Sequence, residues 1–209
     1  YKVWTQSQAL DPYRPIAATA VTAAAAAPAP LEVQVVGLDW KWLFIYPDQH
    51  IAALNTLVLP VGRPVHLRLT SDTVMESLLM PQLAGQIYAM PGMTTQLWLR
   101  ADRPGDYLGE NTQYNGSGFA KQSFVAHAVS AGEFDRWVEQ ARAHGDDVLD
   151  ARRYGQISER SVPPAPLLFG QVDAGLFERI VAKYHGTAHA PTAGAVMQTT
   201  AEQETLRAH

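Results

Sequence analysis

The chain has 209 residues, 47% hydrophobic and 17% charged, with a net charge of −4. That is the composition of a globular protein with one ordinary domain plus extensions, and an acidic balance without any Lys/Arg block argues against a nucleic-acid partner. It has no cysteine, which removes disulfides, Cys-ligated zinc, iron–sulfur clusters and thiolate nucleophiles together, while leaving the compartment open.

The start, YKVWTQSQAL, has neither an initiator Met nor the apolar core of a signal peptide. No stretch reaches the roughly 18–20 apolar residues of a membrane helix. Tyr1 and Trp4 beside Lys2 suit the headgroup end of a preceding membrane helix, and a trimmed or disordered terminus is the other reading. Residues 18–30, ATAVTAAAAAPAP, read as a semi-rigid spacer. From Leu31 the period is that of strands. LEVQVVGL alternates, RPVHLRLT sets Val65, Leu67 and Leu69 against His66 and Arg68, and TTQLWLR and SFVAHAVS follow suit. Pro60-Val61-Gly62, Pro91-Gly92 and Pro104-Gly105 mark turns. Such spacing suggests a sandwich or Greek-key barrel.

After Ser130 the period changes. Ser130 and Glu133 form a capping-box pattern, and Phe134, Trp137, Val138 and Ala141 share one helical stripe that should lie on the β domain. A second helical pattern covers 173–185, with Leu176, Phe177, Ile180, Val181 and Tyr184 on one side and Gly186 as its stop. Between them VPPAPLLFG reads as an extended surface connector. Residues 187–209 carry too few apolar groups to pack and read as a disordered tail. The expected organisation is therefore 1–30 membrane-anchor end and linker, 31–130 β domain, 131–186 helical extension, and 187–209 tail.

Three segments carry a resemblance: LDWKWLFIYPDQHIAALN (38–55), TSDTVMESLLMPQLAGQIYAMPGM (70–93) and YLGENTQYNGSGFAKQSF (107–124). They resemble the cupredoxin-like domain of haem–copper oxidase subunit II, and within it the quinol-oxidase branch of the cytochrome bo type. The resemblance implies an all-β fold, a cupredoxin-like Greek-key β-barrel or sandwich with a C-terminal helical extension. In the copper-bearing branch a dinuclear centre is held by two Cys, two His, a Met and a carbonyl, soft ligands that suit both copper oxidation states. The resemblance puts the first His at Glu76, the Cys pair at Asn111 and Asn115, the second His at Phe119 and the Met at Gln122. The acidic residue between the cysteines, which serves a metal at the subunit interface, falls at Gln113. Every side-chain ligand is thus replaced, and no metal is expected here.

The expected substitute is a structural lock in which Asn and Gln bond the loop backbone and Phe119 plugs the former imidazole space. Glu76 is read as a rim carboxylate of ordinary acidity; the other reading is a partly buried acid with a raised pKa near a proton exit route. Asp39, Trp40 and Trp42, in LDWKW, fall where the cytochrome c-using branch receives electrons. With no copper behind them they read as packing or subunit-interface residues. Met75, Met80, Met90 and Met93 read as core filler rather than a cuprous site, and His185 with His189 as a solvated pair rather than a chelate. No catalytic motif is present in the chain.

What the resemblance implies is a non-redox subunit II of a proton-pumping ubiquinol oxidase in the bacterial inner membrane, its domain on the periplasmic side. It would cap and stabilise subunit I, with haems and copper in subunit I and none in this chain. Other membrane subunits would be partners, the anchor would be N-terminal helices outside this chain, and ubiquinol would be met only through the complex. The alternatives are a copper electron carrier with unorthodox Met and His ligands, and a free periplasmic binding or chaperone module.

Overall fold

The structure, a computed structural model, describes residues 28–143, 147–163 and 165–185. The expectations for Tyr1, Lys2 and Trp4, the spacer up to residue 27, Gly186, His189 and the tail lie outside the described residues.

Ten strands form the body: β1 (Leu31–Leu38), β2 (Lys41–Tyr46), β3 (Ile51–Leu54), β4 (Thr56–Pro60), β5 (Val65–Ser71), β6 (Glu76–Met80), β7 (Gly85–Ala89), β8 (Thr95–Leu99), β9 (Gly105–Asn111) and β10 (Ser123–Val129). Beyond them lie helix α1 (Ala131–Ala143), β11 (Val148–Leu149), α2 (Ala151–Ser158), β12 (Leu167–Phe169), β13 (Gln171–Val172) and α3 (Leu176–Ala182). One sheet has the order β12-β3-β2-β1-β5-β8 and the other β4-β10-β9-β6-β7. The strands are mostly antiparallel, but β1 pairs in parallel with β5 and β4 in parallel with β10, so the chain crosses between sheets as a sandwich.

Alternation decides which side chains meet between the sheets. Val65, Leu67 and Leu69 are buried while His66 and Arg68 lie outside, as expected from the sequence. Strand β2 shows no alternation because it is buried throughout: Trp42, Phe44 and Tyr46 enter the inter-sheet core, while Leu43 and Ile45 join a second apolar layer. Tyr46 also seals the open edge of β4. Its hydroxyl accepts from the Val58 N–H at 2.8 Å and donates to the Val58 carbonyl at 2.9 Å, occupying groups that an edge strand would otherwise offer to another chain.

The capping box at Ser130 forms: the Ser130 hydroxyl accepts from the Glu133 N–H at 3.3 Å, and the Glu133 carboxylate accepts from the Ser130 N–H at 2.9 Å. Phe134, Val138 and Ala141 of α1 are buried, and Trp137 lies edge-on to Tyr46. The connector does more than cross a surface, because residues Leu167–Phe169 add a strand to the first sheet beside β3. Helix α2, which sequence periodicity does not announce, starts where the Asp150 side chain accepts from the Arg153 N–H at 2.7 Å. Tyr154, Ile157, Phe169, Leu176, Phe177 and Ile180 then cover Val36, Leu38, Leu43 and Ile45 from outside. The methionines divide: Met80 is core filler, whereas Met75 and Met93 are exposed, so the core reading is corrected for those two. They lie in the β5–β6 and β7–β8 loops, outside the strand alternation that buries Met80. No described helix is long and apolar enough to cross a membrane.

Replacing Tyr46 by Phe keeps the ring but leaves a buried N–H and carbonyl of Val58 unpaired. Denaturant unfolding should show a loss of about 1–3 kcal/mol.

Candidate functional site at the loop end of the sandwich

Strand directions bring four connections to one end. The β1–β2 turn, the β5–β6 loop, the β7–β8 loop and the long β9–β10 loop meet there, since β1 runs parallel to β5 while β6 runs antiparallel to both β7 and β9. Asp39, Trp40, Glu76, Asn111, Gln113, Asn115, Phe119 and Gln122 lie at this end, and Trp42 lies in the strand that leads from it.

At its centre is Glu76, the first residue of β6, with no exposed surface at all. The rim reading is therefore corrected. Its place in the strand turns the carboxyl inward, in the same alternation that buries Leu78 and Met80. Room for it comes from Gly37 on β1, where a Cβ would collide with Glu76 Oε2. Glu76 Oε2 accepts from Gln122 Nε2 at 2.9 Å, and Oε1 from Asn115 Nδ2 at 3.0 Å. The Thr73 hydroxyl lies 3.4 Å from Oε1. Burial pushes the carboxyl up from its ordinary 4.5 to about 8; the bonds from Gln122 and Asn115 oppose the rise and the nearby Asp39 charge adds to it.

Asn111 is buried and acts as the hub of the β9–β10 loop. Its Oδ1 accepts from the Ser77 and Gln113 backbone N–H groups, each at 3.0 Å, and its Nδ2 donates to the Gln113 carbonyl at 2.8 Å and to Gln122 Oε1 at 3.0 Å. Gln122, almost fully buried, also takes Asn115 Nδ2 on Oε1 at 2.7 Å and donates to the Leu38 carbonyl at 3.2 Å. Gln113 takes part through its backbone. Phe119 is half-buried in a short 3-10 turn and packs against Tyr114. The aromatic that covers the loop is Trp40: a Cβ on Gly118 would collide with its ring, and its Nε1 donates to the Asn115 carbonyl at 3.3 Å. Trp42 is wholly buried in the inter-sheet core.

This arrangement does not suit copper. The Asn111 and Gln122 oxygens are already occupied by N–H donors, the amide nitrogens carry no lone pair to share, and no thiolate or imidazole is among them. Among the described residues no group of three or more His, Cys, Asp or Glu is placed to hold a metal ion.

Several supporting residues carried no local signal in the sequence. Arg160 pairs with Asp39 at 3.0 Å and lies over the Trp40 ring at 5.5 Å. Lys41 is buried, and its Nζ donates to the Glu159 carbonyl and to the Ser161 hydroxyl, each at 2.6 Å. Burial lowers its pKa, against the opposing pull of Asp39 and Glu159. Asp72 accepts from Tyr154 at 2.8 Å, Lys183 at 2.8 Å and Tyr184 at 2.9 Å.

The chain matches the family described as "Cytochrome C oxidase subunit II, periplasmic domain" over residues 49–129. It is 46% identical to "Ubiquinol oxidase subunit 2" of Acetobacter aceti over 177 residues, covering 85% of this chain and 55% of that protein. It is 40% identical to "Cytochrome bo(3) ubiquinol oxidase subunit 2" of Pseudomonas putida over 186 residues, covering 89% of this chain and 56% of that one. The chain thus spans just over half the length of these relatives. In fold it is similar to the crystal structure of the periplasmic domain of cytochrome oxidase subunit II from Bradyrhizobium japonicum, with a TM-score of 0.53, 24% identity, and coverage of 56% of this chain and 96% of that one.

Two outcomes follow from the network. Asn111→Ala orphans two backbone N–H groups, whereas the Asn115 Oδ1 has no partner to lose. Asn111→Ala should therefore cost at least about 1–3 kcal/mol and more than Asn115→Ala, read as the difference in thermal midpoint. The second concerns pH. With the folded pKa raised from 4.5 to about 8, the native chain keeps a proton that the unfolded chain releases. Glu76 thus contributes full stability below the unfolded value, and that contribution falls across the window up to the folded value by on the order of 1.4 kcal/mol per pH unit, then levels off. Denaturant midpoints measured across this window should lose that slope in Glu76→Gln.

Proposed function

Because the chain belongs to the cytochrome oxidase subunit II family, in its quinol-oxidase branch, we propose that it serves as the non-redox periplasmic domain of subunit II in a proton-pumping ubiquinol oxidase. The observation that supports this reading is the loop end itself, where Asn111, Asn115 and Gln122 form a connected network of amides around the buried Glu76 carboxyl. An electron arriving at Trp40 would find no acceptor behind it, so electrons would enter the enzyme directly from membrane ubiquinol. In this reading the haems, the copper and the quinol site belong to subunit I, and this chain holds no catalytic residue.

The domain would sit on the periplasmic side of the bacterial inner membrane, anchored by helices outside this chain, and cap subunit I. Its loop end is the face suited to that contact. Val74, Met75, Met93 and Tyr114, at 50%, 41%, 53% and 72% exposure, lie in the loops that converge there. Exposed apolar groups gathered in one place mark a protein contact.

The test is recovery of the complex from membranes of cells expressing the tagged full-length subunit. The expected result is co-purification of a haem-bearing large subunit, reduced several-fold by the paired changes Met93→Asp and Tyr114→Asp. A chain recovered alone would favour the free periplasmic module. A stoichiometric charge-transfer band after addition of copper would favour the electron carrier.

A further inference from the structure

Glu76 is a wholly buried carboxyl, and among the described residues no Lys, Arg or His lies within ion-pair distance of it. The charged groups around it are engaged elsewhere. Asp39, from the β1–β2 turn, is paired with Arg160; Lys41 of β2 is held by Glu159 and Ser161; Asp72, from the β5–β6 loop, is bonded to Lys183 and to the hydroxyls of Tyr154 and Tyr184. The ionisation of Glu76 is therefore set by burial, which raises its pKa, with the hydrogen bonds from Gln122 and Asn115 opposing the rise and the Asp39 charge adding to it.

The sense of those bonds is dictated by the backbone. The Ser77 and Gln113 N–H groups fix Asn111 Oδ1, so Asn111 Nδ2 must face Gln122 Oε1. Gln122 Nε2 is then turned to the Leu38 carbonyl and to Glu76 Oε2. Asn115 Nδ2, bonded to the same Gln122 Oε1, points at Glu76 Oε1. Both amides consequently offer N–H donors to the carboxyl, and neither can turn round to accept a proton from it. The Thr73 hydroxyl, 3.4 Å from Oε1, is different, because a hydroxyl donates to a carboxylate and accepts from a carboxylic acid. Thr73 is also part-exposed, at the solvent side of the β5–β6 loop.

We propose that Glu76 and Thr73 form a proton-binding site, in which the wholly buried Glu76 carboxyl holds an exchangeable proton and passes it to and from solvent through the Thr73 hydroxyl. The fixed amides hold the carboxyl in place in both states, so the proton comes and goes without rearranging the β9–β10 loop. The site is a property of the sandwich alone and does not depend on the partner that its loop end meets.

The test is nuclear magnetic resonance of the chain carrying isotope-labelled glutamate carboxyls, with Glu76→Gln assigning the signal. Glu76 should titrate near 8, far from the ordinary 4.5. Thr73→Val should push the titration higher still and slow carboxyl proton exchange by about tenfold, as expected when a hydrogen-bonded relay is removed. Thr73→Ser should restore both. Titration at the ordinary carboxylate value, or exchange that Thr73→Val leaves unchanged, would overturn the proposal.

Discussion

The loop end depends on one interaction, the convergence of two backbone N–H groups on the side-chain oxygen of Asn111. Ser77 belongs to β6 and Gln113 to the β9–β10 loop, so this oxygen ties the loop to the sheet on which it rests. The same contact sets the direction of each amide beyond it, through Gln122 to Glu76. A metal would hold such a loop by coordination. Here the loop is held by amides, and the two most deeply buried, Asn111 and Gln122, have both donors and acceptors matched.

A second constraint acts from outside. The C-terminal extension reaches three of the four connections: Arg160 holds Asp39 in the β1–β2 turn, Tyr154, Lys183 and Tyr184 hold Asp72 in the β5–β6 loop, and Tyr184 packs on Gly92 in the β7–β8 loop. Gly92 has a positive φ of 72° and no Cβ, and a side chain there would run into Tyr184. The extension is thus more than a cover for the apolar backs of β1 and β2. It fixes the turns from which Val74, Met75 and Met93 project, while leaving those side chains exposed.

Much of the architecture is legible in the chain. Strands β5 and β10 and the first half of β1 alternate because each has one face in the core, and the Ser130–Glu133 box is a local device that needs no tertiary support. Strand β2 hides its period because both faces are covered, and β12 hides in a proline-rich stretch because its pairing with β3 is supplied from far along the chain. Helix α2 is short and carries Gly155, so its formation rests on the Asp150 cap and on burial of Tyr154 and Ile157. The resemblance singles out Glu76, Asn111, Asn115, Phe119 and Gln122, but their contacts could not be read from it. Phe119 looked like the aromatic cap, and Trp40 covers the loop instead, because its positive φ of 68° turns the ring over Gly118.

The sequence by itself determined that thiolate chemistry is absent from this chain and that the body is a β sandwich with a helical extension. These are matters of residue identity and period, and they survive any arrangement in space. Tertiary structure alone decided what Glu76 is. A glutamate opening a short strand after a polar loop looks like a surface acid. Its strand register turns it inward, Gly37 makes room for it, and amides from another loop meet it there. Desolvation is a property of what surrounds a group, and the surroundings of Glu76 come from stretches far apart in the chain.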